Sequence, residues 1–144
     1  MKFVTEILKT KGPDVWTVSP DWTVYDALQV MADRNVGALM VVESDKLVGV
    51  FSERDYARKV ILQGKASKDT LIEEIMSTEL VWVRPDETIG VCMELMTHER
   101  IRHLPVLDEG RLVGVISIGD VVKAIISEQE FTIQQLEHYI TGGR

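Results

Sequence analysis

An offset of 65 residues lays positions 18–55 of the chain onto positions 83–120 without a gap, and 13 of the 38 aligned pairs are identical. The matches are Val18/Val83, Pro20/Pro85, Asp21/Asp86, Thr23/Thr88, Met31/Met96, Leu39/Leu104, Val41/Val106, the run Leu47-Val48-Gly49-Val50 against Leu112-Val113-Gly114-Val115, Ser52/Ser117 and Asp55/Asp120. No other feature constrains the fold so strongly. A copy of about 45 residues with one apolar sheet face cannot close a core alone, so the expected partner for that face is the other copy across a pseudo-two-fold axis.

The two copies predict the same elements in the same order: a short strand (16–18; 81–83), a Pro-Asp turn, an amphipathic helix (24–34; 89–99), two strands (38–42 with 46–51; 103–107 with 111–116) and a second helix. Thr23 and Thr88 stand where helix N-caps belong, and Asp26 three positions on strengthens the first. The turns "ESDK" and "DEGR" are short enough for antiparallel hairpins, with Gly110 free to take a positive φ. The expectation is a mixed α/β (α+β) architecture of two tandem β-α-β-β-α repeats related by a pseudo-two-fold axis. The boundaries implied are 1–63 for the first repeat with an N-terminal helix, 64–69 for a polar linker, 70–128 for the second repeat and 129–144 for a helical tail. In that tail Thr132 is the expected cap, with Ile133, Leu136 and Ile140 on one face that either packs at home or makes a dimer contact.

Composition narrows the function. Sixteen basic against twenty-three acidic residues give a net charge of −7, which argues against nucleic acid but leaves room for a small anion held by a few cations. No apolar run reaches the roughly 20 residues of a membrane span, and the start lacks a signal-peptide pattern, so a cytoplasmic protein with no membrane contact is expected. The single cysteine, Cys92, lies in an apolar helical pattern and is expected in the core.

The stretches "LVGVFSERD" and "LVGVISIGD" end a strand and open a helix with Ser-x-x-Asp. Unpaired N–H groups and the helix dipole favour an anion there, so Ser52 and Ser117 are placed to meet a phosphate, and Asp55 and Asp120 to accept hydrogen bonds from vicinal sugar hydroxyls. A ligand-free alternative is equally physical: the same pattern is a capping box. Arg54 and Arg58, four apart, share a helical face and could clasp phosphates, or simply be solvated beside Glu53. The second copy has Gly119 and Lys123 at those positions, but carries Arg102-His103 where the first has Gly37-Ala38, so the two copies are chemically unequal. Glycines 49 and 114 suit close backbone approach by a ligand or by the neighbouring copy.

The doubled pattern "TVSPDWTVYDALQVMADRNVGALMVVESDKLVGVFSERD" and "WVRPDETIGVCMELMTHERIRHLPVLDEGRLVGVISIGD" resembles a tandem pair of CBS domains. The wording "SERDYARKV", "IRHLPV" and "SIGDVV" is similar to that of small stand-alone bacterial CBS-pair proteins related to the regulatory part of inosine monophosphate dehydrogenase. The resemblance implies a regulatory module that holds an adenosine-containing ligand (AMP, ADP, ATP, NAD or S-adenosylmethionine) in clefts between the copies. It implies phosphate and ribose contacts for Ser52, Asp55, Ser117 and Asp120, phosphate contacts for Arg102 and His103, and an adenine site walled by Thr17, Val18, Ala38 and Met40 on one side and by Val83, His103 and Pro105 on the other. It also implies a homodimer assembled as a four-repeat disc, and a regulated enzyme that this sequence does not identify. Trp82 departs from the pattern opposite Thr17 and is expected in the core. No metal-ligand spacing, nucleophile elbow, P-loop or dinucleotide fingerprint is present, so the chain is expected not to be an enzyme and to need no metal. The rival reading is a structural adaptor that recruits a partner through its surface with its clefts empty.

Overall fold

The computed structural model describes residues 2–12 and 14–141, which leaves the last three residues of the expected tail outside the described part. The elements run α1 (Val4–Lys11), β1 (Thr17–Val18), α2 (Val24–Arg34), β2 (Ala38–Glu43), β3 (Lys46–Ser52), α3 (Glu53–Asp55), α4 (Ile72–Ile75), α5 (Ile89–Glu99), β4 (His103–Asp108), β5 (Arg111–Ser117) and α6 (Ile118–Ile140). After Asp55 the helix continues with π geometry over Tyr56–Ile61. The mixed α/β architecture is the expected one, and by contact the chain forms two compact units. One comprises Asp14–Val81 with Glu109–Val113; the other comprises Met1–Pro13, Trp82–Asp108 and Gly114–Arg144.

In the unit built on the first copy, β1 lies parallel to β2, with Thr17 opposite Met40, and β2 runs antiparallel to β3, with Ala38 opposite Ser52 and Leu39 opposite Phe51. Because strand side chains alternate, Leu39, Val41 and Phe51 share one face, and there they join Val18, Val24, Ala27, Met31, Val60, Ile72 and Ile75 in one core. The second copy buries the equivalent set: Val83, Ile89, Cys92, Met96, Leu104, Val106 and Ile116. The 65-residue offset is thus written in burial as well as in identity. Burial, with the Glu87 carboxylate adding to it, pushes the Cys92 thiol up to about 11, which leaves it an inert core residue.

Each copy's leading helix comes from the chain segment ahead of the other copy. The first N–H groups of α1 have no intrahelical partner, and those of Val4 and Thr5 donate to the carbonyls of Glu87 and Pro85 at 2.9 Å each. The first N–H groups of α4 do the same in the other unit, Ile72 to the carbonyl of Trp22 at 2.8 Å and Glu73 to that of Pro20 at 3.0 Å. Trp22 and Pro20 align with Glu87 and Pro85, so the docking is equivalent. A division of the chain in sequence order therefore separates both helices from the bodies they pack on.

Three local expectations change. The strand at 81–83 reduces to one parallel bridge, Val83 with Val106. In the first copy the N–H of Met40 reaches the carbonyl of Trp16 at 3.4 Å; the aligned residue is Pro105, which has no N–H to offer Val81. Trp82 is 44% exposed rather than in the core, because alternation buries its neighbour Val83 and turns position 82 outward, as it does Thr17 beside Val18 in the first copy. Thr132 caps nothing: its hydroxyl donates to the carbonyl of Glu128 at 3.0 Å inside a continuous 23-residue α6, so the tail is an extension of the second copy's last helix. After Asp55 the helix changes pitch, yet residues four apart still meet across the change, Lys59 Nζ lying 3.2 Å from Asp55 Oδ1.

Candidate functional site

Both Ser-x-x-Asp segments close the same ring. In the first, the N–H of Asp55 donates to Ser52 Oγ at 3.2 Å, while the N–H and hydroxyl of Ser52 donate to Asp55 Oδ2 at 2.9 and 3.0 Å. In the second, the N–H of Asp120 donates to Ser117 Oγ at 3.2 Å and the N–H of Ser117 to Asp120 Oδ2 at 2.8 Å. The capping box is made in both. It satisfies two orphan helix donors and fixes each carboxylate one turn inside the helix.

The sheet brings most of the first copy's predicted residues to one end of the unit. Thr17 and Met40 are paired, Ala38 lies opposite Ser52, and the N–H of Glu53 donates to the carbonyl of Gly37 at 3.0 Å. Val18, Ala38, Met40 and Asp55 are buried, Thr17, Arg54 and Arg58 are exposed, and Ser52 is intermediate. Asp55 Oδ1 also accepts from the hydroxyl of Ser77 at 3.1 Å and lies 3.2 Å from Lys59 Nζ. This carboxylate is fully occupied within its own unit.

The second copy has the same backbone frame with different side chains. The N–H of Ile118 donates to the carbonyl of Arg102 at 2.8 Å, which draws Arg102-His103 up to the start of α6, and Val83 N–H donates to the carbonyl of Pro105 at 3.1 Å. Val83 and Pro105 are buried, Arg102 is exposed, and His103, Ser117 and Asp120 are intermediate. Lys11 reaches across from the end of α1 to touch Asp120 Oδ2 and the carbonyl of Val115, each at 2.8 Å. Burial alone would raise the Asp120 carboxyl, but the Lys11 ammonium and the Ser117 N–H outweigh it and hold the group below the usual carboxylate range. His103 is pushed the other way from an imidazolium: burial first, then Lys11 and Arg102, lower it, and Asp120 opposes them only partly.

Sequence reasoning missed three residues of these sites, namely Lys11, Lys59 and Ser77. All belong to the segments that dock against the copies, or to the helix that changes pitch, and none lies within the aligned positions 18–55 and 83–120. The glycines are explained by the same docking. A Cβ on Gly49 would stand 2.6 Å from Met76 Sδ, and one on Gly114 would stand 2.5 Å from Leu8 Cδ2. The close approach is made by the docked segments themselves, Met76 at the end of α4 and Leu8 of α1. A separate acidic depression on α2, lined by Asp21, Trp22, Thr23, Asp26, Gln29, Val30 and Asp33, includes none of the predicted site residues. Among the described residues no group of three or more His, Cys, Asp and Glu could hold a metal ion, and no helix is long and apolar enough to cross a membrane.

The CBS domain model matches twice, over residues 4–61 and 72–127. The mitochondrial CBS domain-containing protein CBSX3 of Arabidopsis thaliana is 43% identical over 150 residues, covering 97% of this chain and 72% of that one. An inosine-5'-monophosphate dehydrogenase of Methanocaldococcus jannaschii is 37% identical over 112 residues, 76% of this chain but 21% of the enzyme. Among solved structures, a protein with CBS domains from Burkholderia ambifaria superposes with a TM-score of 0.85 at 49% identity, covering 89% of this chain and 96% of that one. The CBS domain pair of protein MJ0100, in complex with 5'-methylthioadenosine and S-adenosylmethionine, superposes with a TM-score of 0.79 at 25% identity, covering 89% and 98%. With the duplicated sequence, the recurring core and both Ser-x-x-Asp caps in place, this chain belongs to the CBS domain family and carries a tandem pair of its domains.

Proposed function

We propose that the chain is a non-enzymatic regulatory module that binds an adenine nucleotide (AMP, ADP, ATP or NAD) and passes the change to a partner or to its own self-association as a homodimer, in the cytoplasm. The observation that carries this is the start of α6, where an anion-favouring helix end, a carboxylate held ionised by Lys11, an exposed Arg102 and a half-buried His103 converge within one unit. Such a group offers donors to a phosphate and an acceptor to ribose hydroxyls. The complex of the MJ0100 pair with two adenosine compounds supports the ligand class. Ser52, Arg54, Asp55 and Arg58 would serve the first copy's ligand, with Thr17, Val18, Ala38 and Met40 beside the base; Val83, His103 and Pro105 would take that place in the second. Asp55 has more internal partners than Asp120, so the second copy's site is the stronger one in this reading. A ligand that prefers one arrangement shifts the population by its differential affinity and breaks no bond.

The same capping boxes favour one rival, an adaptor whose carboxylates serve only the fold. Calorimetric titration with AMP, ADP, ATP and NAD separates the two. The sensor reading expects saturable binding, a melting temperature that rises with ligand, and a loss of about tenfold or more in affinity for Asp120→Ala, the equivalent of ~1.4 kcal/mol. Absence of binding by all four nucleotides would leave the adaptor, and equal affinity in Asp120→Ala would remove that carboxylate from the site.

A further inference from the structure

The two copies close equivalent places with different chemistry. In the first, the segment after α4 runs extended beside β3: Val50 and Ser77 exchange both of their N–H···O bonds, at 3.0 and 2.9 Å, and the Ser77 hydroxyl donates to Asp55 Oδ1 at 3.1 Å. In the second, the aligned carbonyl of Val115 and the aligned carboxylate of Asp120 are both met by one ammonium, Lys11 Nζ, at 2.8 Å each. The backbone bridge is fixed by its strand, whereas the ammonium hangs on a flexible four-carbon stem and can give up either contact. The carboxylates also differ in what they have left. Asp55 is met on both oxygens, by Ser52 on Oδ2 and by Ser77 and Lys59 on Oδ1. Among the described residues Asp120 is met on Oδ2 alone, by the Ser117 N–H and Lys11, and its side chain is 22% exposed against 11% for Asp55.

We propose that Lys11 is a specificity-determining residue, which makes the second copy's site select its adenosine compound by charge, admitting phosphorylated ones and disfavouring cationic ones. This rests on the nucleotide reading and adds to it. A phosphate at the start of α6 stands within one helical turn of the Asp120 carboxylate, which repels it. The Lys11 ammonium cancels that charge and leaves the helix end and Arg102 to act on the phosphate. By holding Oδ2, Lys11 also leaves Oδ1 to a ribose hydroxyl. S-adenosylmethionine has the same nucleoside but a sulfonium on the 5' carbon and a net positive charge, so beside Lys11 and Arg102 it meets like charge. The half-buried His103 responds to the same field: burial lowers it first, and the two cations lower it further. In the first copy Lys59 is also held by the carbonyl of Ile75 at 3.2 Å and the hydroxyl of Ser77 at 3.4 Å, so its charge is spent within the fold.

Calorimetric titration of the full chain tests it, with S-adenosylmethionine and with whichever of AMP, ADP, ATP and NAD binds most tightly, on the wild type, Lys11→Met and Lys11→Arg. The wild type is expected to prefer the nucleotide. In Lys11→Met the nucleotide is expected to weaken about tenfold or more while S-adenosylmethionine holds or gains, and in Lys11→Arg the wild-type ratio of affinities is expected to persist. Methionine keeps the length of the stem, and a role in packing alone would weaken both ligands alike. Equal weakening in Lys11→Met, an unchanged ratio there, or a ratio lost as fully in Lys11→Arg overturns the proposal and leaves the nucleotide reading standing. So does a wild-type chain that binds S-adenosylmethionine as tightly as the nucleotide. A wild-type chain that binds none of these compounds overturns the nucleotide reading and this proposal with it.

Discussion

The ionisable side chains at the start of α6 respond to acid with the same sign but in different pH windows. His103 is held below the usual histidine range by burial, Lys11 and Arg102, so the unfolded chain takes up a proton at a pH where the folded chain does not. Stability is then complete above about pH 6.5, the unfolded value, and falls as pH drops toward the folded value, with a slope of at most about 1.4 kcal/mol per pH unit for one proton. Asp120 is also depressed, but for a carboxylate the consequence lies elsewhere: its contribution holds above the unfolded value near 4 and disappears only below it, as pH falls through the folded value. Denaturant unfolding at pH 7.5, 6.5 and 5.5 should therefore show a decline that His103→Gln flattens and Lys11→Met lessens. A wild-type profile flat between pH 7.5 and 5.5 would mean that the imidazole is solvated rather than half-buried beside two cations.

Elements in this chain meet through small residues at defined places. Gly49 lies under Met76, with the carbonyl of Ser77 a further 3.2 Å from where a Cβ would be, whereas Gly114 lies under the flexible tip of Leu8. Gly49→Ala is expected to cost about 1–3 kcal/mol, as overpacking does, and Gly114→Ala less, because Leu8 can swing its methyl groups away and a carbonyl cannot. Unfolding of both variants, with Gly49→Ala/Met76→Ala closing a double-mutant cycle, checks this; equal losses, or strict additivity in the cycle, would contradict it. This is also where the sequence was least explicit. The bounds of α2 and α5 were legible to the residue, because a Thr cap and an apolar period of 3.6 mark them independently, and the caps form as expected, with Thr23 accepting from Asp26 and Thr88 from Val91. The hairpins were legible too, although three of their four turn residues, Ser44, Asp45 and Glu109, adopt positive φ without being glycine. What the glycines accommodate was not legible, since a 65-residue repeat reports on residues inside it, and α1 and α4 lie outside. The π-helical stretch after Asp55 left no composition signal either, and with it went the part played by Lys59.

At the scale of the whole molecule, the chain leaves one unit and returns to it: α1 is separated in sequence by all of the first copy from the strands and helices on which it packs. Val4 and Ile7 are buried there, each worth about 1.5–3 kcal/mol by area. Lys11 holds Asp120, and Leu8 covers Gly114. The unit containing the first copy receives nothing from α1 among these contacts; its equivalent helix is α4. Removal of residues 2–12 therefore acts on one unit selectively. Against a total stability of about 5–15 kcal/mol for a domain, the loss of two buried side chains is large, and about 3 kcal/mol corresponds to more than a hundredfold loss of amide protection. Hydrogen exchange read by mass spectrometry on the truncated chain is expected to show that loss in peptides covering α5, β4 and the end of β5, while peptides covering α2, β2 and β3 keep their protection. An equal loss in both sets would mean that the two units open as one cooperative body, and no loss in either would mean that α1 is a passenger on the surface. The selective outcome has a functional corollary, because the same truncation removes the lysine that keeps Asp120 ionised: nucleotide binding at the second copy would fall while the capping box of the first, held by Ser77 and Lys59, stays intact.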